Sequence, residues 1–276
     1  MIRKIDFHAH FRGTLEWLDD HVERDIASGV DRVVIFDTGS ADQSLTLEAA
    51  AKFPDHYIPF FNVDWETDDG KAVNARKAEG FVGAKLILPP APYDHDEFFD
   101  LYEGLARNRM VALFHTAVIA GSGSEKQKKK RPSSRWMRPV HLDRIARTFP
   151  EMAIVGAHIG YPWYAEACAV MRWHKNVWFD TSTSQLTYNR RDYIRTGPEI
   201  GAKPIIRDLY VGGDLEVKKV VYGSDQFLPD SERSVTDYAI RQTDAAMDDL
   251  EMPEEVRSLI YRENAEAILR WAGIDV

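Results

Sequence analysis

The sequence predicts an α/β fold, a (β/α)8 TIM barrel forming a single domain over residues 1–276. Three observations point there. Short apolar runs rich in Val, Ile, Phe and Tyr recur along the whole chain, as expected of strands buried on both faces. Amphipathic stretches separate them, and strand–helix alternation implies a parallel sheet. The chain has 276 residues, close to the roughly 250 of a single barrel. An open, doubly wound sheet is the alternative, but no glycine-rich dinucleotide loop follows the first strand.

The expected strands, in order, are Ile2–His8, Arg32–Asp37, Tyr57–Asp64, Phe81–Ile87, Met110–Thr116, Ala153–His158, Val177–Thr181 and Lys219–Asp225. Helical patterns between them include Thr14–Ser28, Ser44–Phe53, Asp94–Arg107, Pro139–Phe149 and Trp163–His174. Ser44 and Asp94 are expected N-caps, and Gly29 is an expected stop signal. Three stretches exceed a simple connection: Ala117–Arg138, Ser182–Pro198 and a helical tail, Pro253–Gly273.

Composition narrows the partners. Hydrophobic residues are 44% and charged residues 29% of the chain, as in an ordinary soluble globular protein. The net charge of −9 argues against nucleic acid, which needs a cationic face. An acidic protein can still hold a locally basic pocket for a small anionic substrate. The single cysteine, Cys168, rules out an intramolecular disulfide and a Cys-rich metal site. The start, Met1-Ile2-Arg3-Lys4-Ile5-Asp6, lacks the apolar stretch of a secretion signal. No apolar run approaches the roughly 20 residues needed to cross a bilayer. No membrane partner and a cytoplasmic location are therefore expected.

The strongest chemical signal is Asp6-Phe7-His8-Ala9-His10. Side chains alternate along a strand, so Asp6, His8 and His10 are expected on one face, inward in a closed barrel. The two histidines then sit at the C-terminal end of the first strand, where barrel active sites lie. Other strands end in the same manner: Leu113-Phe114-His115, Gly156-Ala157-His158 and Gly223-Ser224-Asp225. Closure brings the eighth strand beside the first, so Asp225 would adjoin His8 and His10, with His115 approaching from the opposite wall. Three imidazoles and a carboxylate suit one divalent ion, Zn²⁺ foremost, with Mn²⁺ or Fe²⁺ as alternatives.

These motifs, together with Gly83-Ala84-Lys85-Leu86, His158-Ile159-Gly160-Tyr161-Pro162-Trp163 and Asn264-Ala265, resemble the amidohydrolase superfamily over nearly the whole chain. The branch they resemble contains aminocarboxymuconate-semialdehyde decarboxylase, resorcylate-type decarboxylases and several lactone or ester hydrolases. The resemblance implies that His8, His10 and His115 are metal ligands. It makes Asp225 the strand-eight aspartate that binds metal or moves protons, and His158 an acid/base or electrostatic partner near the catalytic water. A metal ion would lower the pKa of water, and Asp225 would accept the proton. Lys85 ends the fourth strand; the resemblance favours a role against a substrate carboxylate over carboxylation, and pairing with Asp6 or Asp225 is the structural alternative. Relatives are commonly dimers, so a homodimer is expected.

Residues 117–138 are expected to form an inserted active-site loop. Its lysine and arginine run includes Lys128, Lys129 and Lys130 and ends in Arg135-Trp136-Met137-Arg138. A solvated loop is the plain reading; a lid whose Arg135 or Arg138 meets an anionic substrate is the sharper one. Arg12, two residues past the histidines, is a further substrate-binding candidate. Trp163 is expected to join it, with Trp136, Tyr161 and Phe227 as further pocket walls. Two reactions fit: hydrolysis of a small carboxylated lactone, ester or amide, or non-oxidative decarboxylation of an unsaturated or aromatic acid. A non-catalytic metal-binding barrel is the remote alternative.

Overall fold

The computed structural model describes residues 2–12, 14–37, 43–119, 133–182, 218–228, 235–249 and 251–276. The strands are β1 (Lys4–Phe11), β2 (Val30–Asp37), β3 (Tyr57–Asn62), β4 (Gly83–Leu86), β5 (Val111–Phe114), β6 (Ile154–Gly156), β7 (Val177–Asp180), β8 (Val220–Val221) and β9 (Gln226–Leu228). Among the described residues the intervening helices are α1 (Leu18–Ala27), α2 (Ser44–Lys52), α3 (Gly70–Glu79), α4 (Phe99–Arg107), α5 (His141–Thr148), α6 (Tyr164–Trp173) and α7 (Val235–Asp249). The tail runs through α8 (Glu254–Ser258), a π-helical turn (Leu259–Glu263) and α9 (Asn264–Trp271). No helix among the described residues is long and apolar enough to cross a membrane.

All strand pairs are parallel, in the order β8-β7-β6-β5-β4-β3-β2-β1-β9. The fold is thus the expected TIM barrel, and its eighth staves are β8 and β9 together. The gap between them is bridged to β1 by Phe7 N–H donating to the Tyr222 carbonyl (2.9 Å) and Asp225 N–H donating to the His8 carbonyl (2.8 Å). The sequence placed one strand at Lys219–Asp225. The ladder breaks there because Asp225 takes a left-handed conformation, φ 57°, which no regular strand tolerates.

Two apolar layers follow from strand alternation. Val34, Phe36, Ile58, Phe60, Val111 and Leu113 fill the barrel interior, with Ile268 and Leu269 of α9 packed against them. Val33, Ile35, Phe61, Ala112 and Phe114 face the helices. In β1 the alternation fails. Its register with β2 shifts between Asp6 and Ala9, so Phe7 packs edge-on to Phe60 in the interior while its neighbour His8 also faces inward, 5.3 Å from the Phe36 ring. Asp6, flanked by the interior residues Ile5 and Phe7, therefore does not share the face of His8 and His10 as strict alternation expects. A bulge of this kind re-aims side chains at a barrel rim.

Two capping expectations are corrected. Ser44 lies inside α2, whose N-cap is Gln43, and α4 is preceded by a short 3-10 turn, Asp96–Phe98, capped by His95. Asp94 instead pairs with His141, 2.9 Å away. Gly29 does end α1, at φ 83°. α3, unread in the sequence, is capped by Asp69, whose carboxylate accepts from Lys71 and Ala72 N–H groups.

Beneath the N-terminal end of β3 a carboxylate is buried between two imidazoles. Asp25 Oδ2 lies 3.2 Å from both His21 Nε2 and His56 Nε2. Burial pushes the Asp25 carboxyl up, but the bonds from His21 and His56 outweigh it and hold the group below its usual range. A depressed folded-state pKa adds stability above the unfolded carboxyl pKa of about 3.9, lost as pH falls through the folded value. Asp25→Asn is therefore expected to lower the unfolding free energy at pH 7 by about 1.5–3 kcal/mol, one charged hydrogen bond. Urea titrations should show that gap closing below about pH 4; a gap constant with pH would mean that the charge of Asp25 plays no part.

Candidate active site

Alternation along the strands carries three polar side chains into the mouth of the barrel. Each stands two residues beyond a position on the interior face: Lys85 after Gly83, His115 after Leu113, and Asp180 after Trp178. Gly83 is obligatory there, because a Cβ would come 2.4 Å from the Phe60 ring that fills the floor. His158 arrives differently. It follows β6 on a turn of three left-handed residues, His158, Ile159 and Gly160, at φ 64°, 44° and 69°. For a β-branched residue such as Ile159 this conformation costs on the order of 1–3 kcal/mol. The turn is held by Asp180 Oδ1 accepting His158 N–H (2.9 Å).

The polar groups form one connected cluster. His8 Nδ1 lies 2.8 Å from Asp180 Oδ2, and its Nε2 lies 3.3 Å from Asp225 Oδ1 and 3.1 Å from Lys85 Nζ. His10 Nε2 is 2.9 Å from Asp225 Oδ1. His158 Nε2 is 3.1 Å from His115 Nδ1. His10, Asp225, His158 and His115, all read from strand ends, are thus brought together with His8 and Lys85. Asp180 and Ser182 belong to the same cluster and were missed. Asp180 ends a strand just as Asp225 was expected to, a position that nominates it without showing what it touches.

Electrostatics prepare these groups for a cation. Burial, then the charge of Lys85, lowers the His8 imidazole to about 3 against the pull of Asp180. His115 is lowered well below its ordinary value, by burial first and then by His158 and Lys85. Both are neutral, the form that binds metal. Burial would raise Asp225, but the bond from His10 foremost holds it well below the carboxylate range. Burial lowers the Lys85 ammonium to about 8 against Asp180 and Asp225.

The hydrogen-bond acceptors test whether a metal fits. His158 Nδ1 lies 3.0 Å from the Ser182 carbonyl and His115 Nε2 lies 3.1 Å from the Ala117 carbonyl. Carbonyls only accept, so these two nitrogens carry hydrogens. The nitrogens left facing one another, His158 Nε2 and His115 Nδ1, then need a proton or a cation between them. His8, His158 and Asp225 also bring one ligand atom each within 4.8 Å of one another. Imidazole nitrogens and a carboxylate oxygen are the donor set of divalent zinc-type ions, and the residues fit such an ion.

The remaining candidates sit around this centre. Arg12 is exposed at the rim, its guanidinium 4.4 Å from the Phe227 ring, and that ring stacks on His10 at 4.2 Å. Arg138 ion-pairs with Glu166 and lies 5.6 Å from the Trp163 ring, so its charge already has a partner. Arg135 is exposed beside Trp136. The middle of the expected 117–138 loop, residues 120–132, and most of 182–198 lie outside the described residues.

Comparison with known proteins gives a consistent result. The family model described as amidohydrolase matches residues 5–271. No curated protein matches the chain. Among solved structures, an uncharacterized TIM-barrel protein from Bordetella bronchiseptica superposes with a TM-score of 0.68 at 17% identity, over 98% of this chain and 99% of that one. A putative amidohydrolase from Staphylococcus aureus does so at 0.61 and 14%, over 97% and 99%. Amidohydrolase 2 from Bifidobacterium longum subsp. infantis does so at 0.61 and 16%, over 100% of both. At such identities these likenesses speak for the fold.

Proposed function

The chain belongs to the amidohydrolase family, and from that premise we propose that it is a metal-dependent hydrolase of a small carboxylated lactone, ester or amide. The observation that carries this reading is the convergence of His8, His158 and Asp225 ligand atoms within 4.8 Å, in a cluster that also holds the Lys85 ammonium 3.1 Å from His8. His8, His10, His115, His158 and Asp225 are the residues available to hold one divalent ion, Zn²⁺ by donor chemistry. Such an ion supplies Lewis acidity, polarising a carbonyl and making water acidic near neutral pH.

The chain's own groups supply the rest. Asp225, kept ionised by His10, accepts a proton from the attacking water at its carboxylate oxygen. His158, its Nδ1–H anchored on the Ser182 carbonyl, presents the Nε2 lone pair to the same space, where it ligates the ion or accepts a proton. Lys85 at depth and Arg12 at the rim place two cations along the approach, which supports an anionic substrate. The stack of Arg12 on Phe227 and Phe227 on His10 gives the guanidinium a fixed seat.

Arg12→Gln is expected to raise KM for carboxylated substrates at least about 10-fold more than for neutral analogues, the loss of one charge-assisted contact. A panel of lactones, esters, amides and aromatic acids checks this, with product analysis on each. Acid released by ring opening or ester cleavage is the expected product. Release of CO₂ instead would assign the decarboxylase reading, and equal KM changes for charged and neutral substrates would remove Arg12 from substrate recognition.

A further inference from the structure

Asp180 is completely buried and makes no contact that the proposed reaction requires, yet both its oxygens are committed. Oδ1 accepts three donors: His158 N–H at 2.9 Å, Ser182 N–H at 2.9 Å and the Ser182 hydroxyl at 2.5 Å. Oδ2 is left to face His8 Nδ1 at 2.8 Å. The Ser182 hydroxyl proton is spent on Oδ1, so its oxygen, 3.0 Å from His8 Nδ1, is also an acceptor there. Every partner of His8 Nδ1 therefore accepts, and Nδ1 must carry the hydrogen. On the other side of the ring, Nε2 faces both a donor and an acceptor, Lys85 Nζ at 3.1 Å and Asp225 Oδ1 at 3.3 Å, so the Nδ1 side decides the tautomer. Asp180 and Ser182 together thus specify the tautomer.

We propose that Asp180 is a positioning residue that fixes His8 with its proton on Nδ1 and so turns the Nε2 lone pair toward the metal site. This inference rests on the reading of His8 as a metal ligand. A ligating imidazole needs its remote nitrogen hydrogen-bonded to an acceptor, which sets both ring orientation and tautomer. One carboxylate here does more, because the same side chain pins the left-handed His158 turn through Oδ1. His8 from β1 and His158 after β6 are thereby registered against a single group at the end of β7.

Asp180→Asn isolates the effect. Three donors converge on Oδ1, so the amide oxygen must take that place and the NH₂ must face His8. Nδ1 then becomes the acceptor, and the proton moves to Nε2, the nitrogen that needs to be bare. The test is ¹⁵N-histidine NMR of metal-free wild-type and variant protein, with His8 assigned by loss of its signals in His8→Ala, alongside Zn²⁺ affinity by chelator competition. Wild type should show Nδ1 protonated and Nε2 unprotonated. Asp180→Asn should reverse this and bind Zn²⁺ about 10–100-fold more weakly, the usual cost of losing such a partner. Ser182→Ala, which loosens the His158 turn but keeps the Oδ2–Nδ1 bond, should retain the wild-type tautomer and bind Zn²⁺ within about threefold of wild type.

A wild-type His8 protonated on Nε2 overturns the proposal even if Asp180→Asn does not fold. So does Zn²⁺ affinity in a folded Asp180→Asn equal to that of wild type, or a loss in Ser182→Ala as large as that in Asp180→Asn. Failure of wild type to bind Zn²⁺ would count against the metal reading, while the tautomer result would still decide the role of Asp180.

Discussion

Asp225→Asn is expected to leave the barrel folded while lowering kcat by about 10²–10⁴-fold, the range for a lost acid/base group. The substitution keeps the size and the left-handed backbone at φ 57°, since Asn accepts that conformation readily. It keeps the Asp225 N–H bond to the His8 carbonyl that helps close the barrel. What it removes is the ionised oxygen 2.9 Å from His10 Nε2 and 3.3 Å from His8 Nε2. An amide can neither accept the proton of the attacking water nor balance a divalent charge. Steady-state kinetics on metal-loaded protein, with circular dichroism as the control for folding, checks the outcome. Turnover within a few-fold of the parent would make Asp225 a structural residue of the strand-eight break.

The barrel itself was legible because its rule is local. Buried parallel strands are short apolar runs, and all eight expected ones contain an observed strand or overlap most of it, the eighth enclosing β8 and stopping short of β9. The histidines and Asp225 were legible because strand ends in a barrel share one rim. The rest depended on backbone detail that no residue type announces. The β1 bulge puts Phe7 and His8 on the same side and takes Asp6 away from it, which strict alternation cannot anticipate. The left-handed turn at His158 and Ile159 ends β6 early and carries His158 into the site by a route other than strand alternation. The eighth strand breaks at Asp225 for the same reason. Asp180 and Ser182 follow the strand-end rule, but a Trp-Phe-Asp ending reads as a core run meeting solvent. Their importance shows only when the distances to His8 and His158 are known.

Metal dependence is the centre of the account, and removing a ligand should abolish it. His8 supplies an Nε2 lone pair held in place from behind by Asp180, and His10 ties Asp225 to the same point. Neither can be replaced by water without losing both a donor and the orientation of a carboxylate. His8→Ala and His10→Ala are each expected to lose activity by more than the roughly 10–100-fold that a supporting residue costs, together with most of the bound ion. The deciding measurement is elemental analysis of purified wild type, His8→Ala and His10→Ala, with activity followed as metal-free wild type is titrated with Zn²⁺. About one divalent ion per wild-type chain is expected, because one set of converging ligands binds one ion. Activity should return in proportion to the ion bound, and either variant should hold little metal. Full metal occupancy in both variants, or full activity of the metal-free wild type, would contradict it.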